Sequence, residues 1–486
     1  MPLFDLFVSA GADDSQLMAA ILQTHQQEPS QQAPCQQSVT PLVKEASALR
    51  QRRALQELPP RQLNAPEPRK RPAQHGSEDA SRDQRRRRRS TVVVDPCEVA
   101  EQRRLLKDVL PRLQAHETTR VSELPIAAVP HAPFASGEEL RLGQSTFTVS
   151  RMIGSGTFGT VYSVSKAADG STLAAKVSRP SQLWEWYVHV QLRKRLPAHE
   201  HARTVLASAA YACDSTLVPP LQQSLPSSSS ASVLLLPLAG SSLRHLTECY
   251  HRRQRRMAER TVAFYAAGLL RCMQTLHTAQ VLHADLRPDN VVLRAASCGS
   301  DAAADPSRLV DPSRPLAEGG WEESFGVALV DFGRAVDLKL YDAGVRFSGD
   351  EMPKGFDCME MRRKETWTYQ IDTFAAAATV HSLLHSDRAA PMKVQSVGGR
   401  CRAVHDPPLR EISEAPGLWE EFFDALLNSQ PRGQARVGGG AEPPVDPPDV
   451  SCLAEALEAH VDSSYEARVE LFLELVLQRR WLRHKP

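Results

Sequence analysis

No apolar stretch in the chain approaches the roughly 18 residues that a membrane-spanning helix needs. The longest runs, Val233–Gly240 and Thr261–Leu270, stop well short, and Arg271 closes the second. The start of the chain, Met1 to Asp14, has neither a basic cluster nor a long apolar run, so no secretory signal is expected. Paired cysteines are missing too. Nine cysteines, an odd number, are scattered from Cys35 to Cys452 with no C-x-x-C spacing. A disulfide framework or a cysteine-based zinc site would need closer pairs, so they read as free thiols in a reducing compartment. Net charge is also small. Lys plus Arg number 58 against 57 Asp plus Glu, which leaves +1. The chain as a whole therefore has no membrane or nucleic-acid character. Aromatics are scarce at one end, where the first 135 residues hold only Phe4, Phe7 and Phe134.

What is present is 486 residues, 42% of them hydrophobic, with 35 prolines. That length allows roughly three domains. Collagen, coiled coil and a wholly disordered chain are excluded. Residues 1–135 read as a Gln/Pro/Arg-rich tail that buries too little apolar surface to offset its ordering entropy. Two short helical stripes stand out in it: Leu17, Ile21 and Leu22, and Leu105, Val109, Leu110 and Leu113. Each is a helix that would order on a partner or a frayed nascent helix. The segment 52–89 carries twelve Lys/Arg against five Asp/Glu. Its clusters Arg69–Arg71 and Arg85–Arg89 have the spacing of a bipartite nuclear-import signal, so an import receptor is an expected partner of segment 69–89. Ser90 follows directly as a place for a phosphorylation switch.

From about residue 136 the pattern changes. Strand-like runs come first: Leu140–Leu142, Phe147–Val149, Thr160–Val164 and Leu173–Val177. Helix-period segments follow, the clearest placing Val262, Tyr265, Ala266, Leu269, Met273 and Leu276 on one face. The expected fold is α+β, a small β-rich lobe (136–240) leading into a larger helical lobe (241–486). Three loops interrupt it, at Leu221–Ser232, Ala295–Ser324 and Gln430–Val450. The second holds the duplication Asp305–Arg308 and Asp311–Arg314, read as exposed spacer.

The chemistry lies in four motifs in order. Gly154-Ser155-Gly156-Thr157-Phe158-Gly159 is followed by β-branched and aromatic residues, so it joins two strands rather than a strand and a helix. Glycine there lets backbone N–H groups approach phosphate oxygens, with Val161 against a nucleotide base. Lys176 sits in the apolar strand Leu173–Val177, where a cation must be paired. Glu185, nine residues on in a helix with Trp184, Tyr187, Val188 and Leu192, is its candidate partner. His283-Ala284-Asp285-Leu286-Arg287-Pro288-Asp289-Asn290 precedes a strand, and the strand Val327–Val330 ends in Asp331-Phe332-Gly333. Gly loop, lysine, H-x-D-x-x-x-x-N and D-F-G in this order point to phosphoryl transfer. Asp285 accepts the hydroxyl proton, Arg287 neutralises the transferring phosphoryl, and Asn290 with Asp331 holds Mg²⁺.

On these residues the segment 136–486 resembles a eukaryotic protein kinase. More narrowly it resembles the Bub family of mitotic spindle-checkpoint serine/threonine kinases. Lys176 running into Trp184-Glu185-Trp186-Tyr187, Val336–Leu340, Gly355–Met361, Trp367–Asp372 and Leu418–Phe423 carry the narrower likeness. The resemblance implies the bilobal protein-kinase fold. It implies ATP with Mg²⁺, bound by Ile153, Gly154, Gly156, Gly159, Val161, Ala174, Lys176 and Leu238. It implies Asp372 as a brace for the catalytic loop, and a histone or kinetochore protein as substrate in the nucleus, at the kinetochore. Two positions depart from the common pattern. Ala284 stands where many kinases carry the Arg that receives an activation-loop phosphate, and Arg287 replaces the commoner Lys. The tail shows no repeat of about 34 residues such as the family's N-terminal helical domain. A pseudokinase scaffold is the alternative, and a basic-tail nucleic-acid binder a weaker third; nucleic acid is not an expected partner.

Overall fold

The computed structural model describes residues 93–114, 122–123, 133–156, 159–213, 230–294, 310–342, 345–349, 352–388, 391–429 and 446–483. The Arg-rich segment 69–89, Ser90, the Leu17 stripe and the first copy of the duplication lie outside the described residues.

The described chain opens with β1 (Val93–Val94), α1 (Val99–Gln114) and β2 (Ser122–Glu123). Then come β3 (Glu139–Leu142), β4 (Ser145–Gly156), β5 (Gly159–Lys166) and β6 (Thr172–Ser178). The helix α2 (Leu183–Arg195) leads to β7 (Ala209–Cys213) and β8 (Ala231–Pro237). One sheet takes the order β2-β7-β8-β6-β5-β4-β3, antiparallel apart from the β2–β7 pair. Strand alternation divides its faces. Ala175, Val177, Val233 and Leu235 join Phe134, Phe147 and Tyr162 in a cluster on one side. Ala174, Leu234 and Leu236 belong to the main core, which continues into the helices. Lys176 stands between Ala175 and Val177, so it points with Ala174 toward that main core.

The helical part contains α3 (Leu243–Arg252), α4 (Glu259–Thr278), β9 (Val281–Leu282), β10 (Val291–Leu293), α5 (Trp321–Phe325), β11 (Val327–Leu329), β12 (Val336–Asp337) and β13 (Arg346–Phe347). It ends with α6 (Met359–Arg362), α7 (Gln370–Leu384), the hairpin β14 (Lys393–Val397) and β15 (Arg400–Val404), α8 (Leu409–Ile412), α9 (Pro416–Leu427), α10 (Ser451–Val461) and α11 (Tyr465–Arg483). All six residues of the expected α4 stripe are buried. This helix packs against α7, α10, α11 and β11, and so forms the axis of the lobe. The two-lobed α+β architecture read from the sequence is the one observed. Among the described residues no helix is long and apolar enough to cross a membrane.

Two segments differ from the sequence reading. The stretch 93–114, placed in the disordered tail, is folded. Gln102, Leu105, Val109, Leu110 and Leu113 are buried at helical spacing, and α1 packs on α2, continuing through Pro111. Of the two readings of this stripe, the helix that orders on a partner surface is the one observed, and that surface lies within the same chain. The second difference falls in the loop 295–324. Its last turn is structured, with Trp321 and Phe325 of α5 in the core and the Arg294 and Arg203 guanidiniums on Glu322. The second copy of the duplication, Asp311–Arg314, stays largely exposed as expected.

Candidate active site

The Gly loop spans the end of β4 and the start of β5. Gly159 has φ +142°, and a Cβ there would meet the Val177 carbonyl oxygen at 2.4 Å, so the fold itself demands glycine. Gly154 and Gly156 are different. A Cβ at either would meet nothing within 4 Å. The fold leaves room above them, which suits the close approach of a phosphate to backbone. Val161 pairs in register with Lys176, and Lys176 with Leu234, so these three share a face. Ile153, Val161 and Leu238 are half-buried against the main core, and Ala174 is buried within it.

Lys176 Nζ lies 2.7 Å from Glu185 Oε2 and 2.7 Å from Asp331 Oδ1. The spacing of nine residues between strand and helix thus closes as expected. Burial alone would discharge Lys176, yet the two carboxylates outweigh it and hold the ammonium charged. Burial likewise pushes Asp331 up, but the lysine charge and hydrogen bond bring it below the ordinary carboxylate value. Glu185, fully enclosed, is raised above its ordinary value by burial despite the lysine. One ammonium shared by two buried acids leaves the second acid short of neutralising charge.

The helix α2 is held by more than Glu185. Trp184 Nε1 donates to the Ala335 carbonyl at 2.8 Å, and the Tyr187 hydroxyl donates to Asp337 Oδ2 at 2.6 Å. Arg195 grips the same carboxylate with two bonds of 2.7 and 2.6 Å. On the other side stands α1. Residues Leu183 to Val190 are all buried, so this helix has no solvent face along that stretch. The α1 segment also touches the D-F-G turn and the strand beyond it. Gln102 Nε2 donates to the Gly333 carbonyl at 3.2 Å. β1 pairs in parallel with β13, and the Ser348 amide donates to the Val94 carbonyl at 2.8 Å.

Around Asp285 the loop is tightly bonded. Asn290 Nδ2 donates to the Asp285 carbonyl at 2.8 Å and to its Oδ2 at 3.0 Å, which leaves the Asn290 amide oxygen for a cation. Asp285 Oδ1 is buried without a hydrogen-bond partner, and Arg287 Nε stands 3.4 Å from it. Burial raises the Asp285 pKa above the ordinary carboxylate value, against the pull of Arg287. Phe332 is fully buried, its ring packed near His189 and His283. The donor set of Lys176, Asn290 and Asp331 beside open glycines fits a magnesium nucleotide. Beneath the loop, Asp372 Oδ2 accepts from the His283 amide and His277 Nε2, and Oδ1 from the Ala284 amide, each at 2.9 Å. Ala284 is held at φ +56°, a conformation those bonds secure.

Asp372 carries the first prediction. Burial pushes its carboxyl up, but His277 and the amide donors hold it below the ordinary range. Its stabilising contribution is therefore complete above about pH 3.9, the unfolded value, and is lost as pH falls toward the depressed folded value. Replacing it by Ala strands three donors and should cost about 3–5 kcal/mol. The denaturant midpoint measures this, and the variant's midpoint should fall less than the wild type's as pH drops below about 3.9. An unchanged midpoint would dismiss the brace.

A two-lobed fold with a strand lysine paired to a helix glutamate, over an H-x-D-x-x-x-x-N loop and a D-F-G turn, defines a protein kinase. Residues 147–405 match the protein kinase domain family, and the chain belongs to it. It is related to the BUB1 checkpoint kinases. It is 25% identical over 346 residues to the mitotic checkpoint serine/threonine-protein kinase BUB1 of Arabidopsis thaliana, covering 70% of this chain and 61% of that one. It is 28% identical over 297 residues to the mouse BUB1 (Mus musculus), covering 60% and 24%. Over 173 residues it is 34% identical to the bub1 of Schizosaccharomyces pombe, covering 35% and 16%. The chain thus spans less than two thirds of these relatives. The crystal structure of the BubR1 kinase domain shares the fold, with a TM-score of 0.61 at 22% identity over 79% of this chain and 99% of that one.

Lys176, Glu185 and Asp331 are joined directly, as are Asp285, Arg287 and Asn290. Sequence reasoning missed Gln102 and the pairing of β1 with β13. Their only signal was the stripe Leu105–Leu113, which the tail's composition masked.

Proposed function

We propose that this chain is an ATP–Mg²⁺-dependent protein serine/threonine kinase of the mitotic checkpoint. The observation that carries the reading is the charged Lys176 held at 2.7 Å by both Glu185 and Asp331. A scaffold has no need of that pairing. Bound ATP–Mg²⁺ supplies the γ-phosphoryl and the positive charge that offsets it. Lys176 grips the α- and β-phosphates, and Glu185 holds the lysine in place. Gly154, Gly156 and Gly159 bring backbone N–H groups to the phosphates, while Ile153, Val161, Ala174 and Leu238 enclose the base. Asn290 and Asp331 hold the magnesium. Asp285 takes the proton from the substrate hydroxyl through its unpartnered Oδ1, and Arg287 neutralises the transferring group. The substrate is a histone or kinetochore protein, and the site of action is the nucleus, at the kinetochore; the relatives' checkpoint names support this. Entry to the nucleus uses an import receptor on segment 69–89. We also propose residues 136–486 as the catalytic domain.

Transfer of labelled phosphate from ATP–Mg²⁺ to a panel of histones and kinetochore proteins tests the reading. Label no higher than with Asp285→Asn would favour a pseudokinase scaffold instead. A second expectation concerns control. Ala284 cannot receive a loop phosphate, and β13 is already paired between β1 and Trp367. Phosphatase treatment should therefore leave turnover within about twofold, since no charge-paired ordering is removed. Loss of turnover on dephosphorylation would contradict it.

A further inference from the structure

Three histidines converge at the far end of α7, apart from every residue used above. His381 lies in the last turn of that helix, His385 caps its end one turn on, and His405 follows β15. One ring nitrogen from each lies within 4.8 Å of the others. His381 and His385 are buried, and His405 half-buried. Their rings crowd together, His381 and His385 tilted at 33° with centroids 4.5 Å apart and His385 and His405 stacked at 5.5 Å and 19°. We propose that His381, His385 and His405 form a structural zinc site that staples the β14–β15 hairpin to α7.

The hydrogen-bonding pattern favours an ion over a packed core. Both nitrogens of His381 and Nδ1 of His385 are buried and make no hydrogen bond. Hydrophobic packing gives no reason to gather three polar rings and leave half their nitrogens unmatched. His385 Nε2 and His405 Nδ1 are 3.3 Å apart. Zinc bonded to nitrogen at about 2.0–2.1 Å in a tetrahedron sets neighbouring nitrogens about 3.3–3.4 Å apart, so this separation already equals one edge. Arg256, Arg388, Asp387 and Asp406 surround His385 with charges of both signs. Asp387 is paired with Arg256, and Asp406 with Arg388. Three imidazoles leave a fourth position for water, and imidazole ligands suit zinc over magnesium or calcium.

The site is some 14 Å along the helix from Asp372, so its loading stiffens the element that braces the catalytic loop. The test uses untagged full-length protein, stripped with a chelator and kept in excess Mg²⁺ to occupy the nucleotide site. Zinc is titrated against a chromophoric chelator, and Co²⁺ is added in parallel as a spectroscopic probe. The expected result is one tightly bound equivalent of zinc, with tetrahedral Co²⁺ bands and no thiolate charge-transfer band. His385→Gln and His405→Gln should each weaken zinc at least about 100-fold. No competitive zinc in wild type, a thiolate band that places the ion on cysteines, or unchanged uptake in both variants would overturn the site. If a variant unfolds, the wild-type Co²⁺ spectrum still decides.

Discussion

An Asp285→Asn variant should lose about two to four orders of magnitude in kcat while its KM for ATP stays close to wild type. General-base catalysis contributes about that much, and Asn keeps the shape of the side chain while removing its basicity. The loop should survive the change. The bond from Asn290 Nδ2 to the Asp285 carbonyl is untouched, and the bond to Oδ2 has an amide oxygen available in its place. Lys176 and Asp331 do not touch the altered carboxylate through any bond described above, so nucleotide affinity should persist. A fall in kcat and kcat/KM together is the signature of an interaction made only in the transition state. The pH profile gives an independent reading. Burial raises the Asp285 pKa, so wild-type kcat should decline at a higher pH than an ordinary carboxylate would dictate as pH falls through that value. The residual activity of the variant should lack this acid limb. A variant within a few-fold of wild type, with the limb intact, would remove Asp285 from the role of base.

Leu105→Asp combined with Leu110→Asp should be nearly as damaging, although neither residue touches the nucleotide site. Both are buried between α1 and the rest of the core. Losing each apolar side chain costs about 2–5 kcal/mol, and an unpaired charge in its place adds to that. The helix α1 should then leave α2, expose its outer face and free the Gln102 bond to Gly333. A misplacement near 1 Å in the Lys176–Glu185 pair can lower kcat about 100-fold. Hydrogen exchange distinguishes this from general unfolding. Faster exchange confined to 183–195 and 331–349, with α4 still protected, is the expected pattern. Full turnover in the double variant would show that α1 is ornamental to catalysis.

The candidate catalytic residues could be picked out because phosphoryl transfer uses short motifs at fixed spacing. The nine residues from Lys176 to Glu185 and the five from Asp285 to Asn290 are local enough to read directly. A lone lysine in an apolar strand marked Lys176 as paired, and the helical period of α4 picked out the buried stripe of a long helix. The rest depended on distance. Gln102 meets Gly333 across 231 positions, and nothing in a polar tail announces its partner. The all-round burial of Leu183–Val190 in α2 was equally hidden, because the covering helix comes from a segment that reads as disordered. The histidine cluster escaped for a related reason. Its two helical members are spaced like ligands, but the third arrives only when a hairpin folds back. Cysteine spacing, which speaks against zinc on thiols, says nothing about imidazoles.

The absence of a solvent face on α2 from Leu183 to Val190 has a bearing on regulation. Kinases that swing this helix outward keep a latch, a resting shape from which a signal releases them. Here the swing would mean tearing away Trp184, Tyr187, Arg195 and the α1 contacts at once. A kinase domain pinned in this way offers no swing of α2 as an on–off step without breaking all of these contacts together.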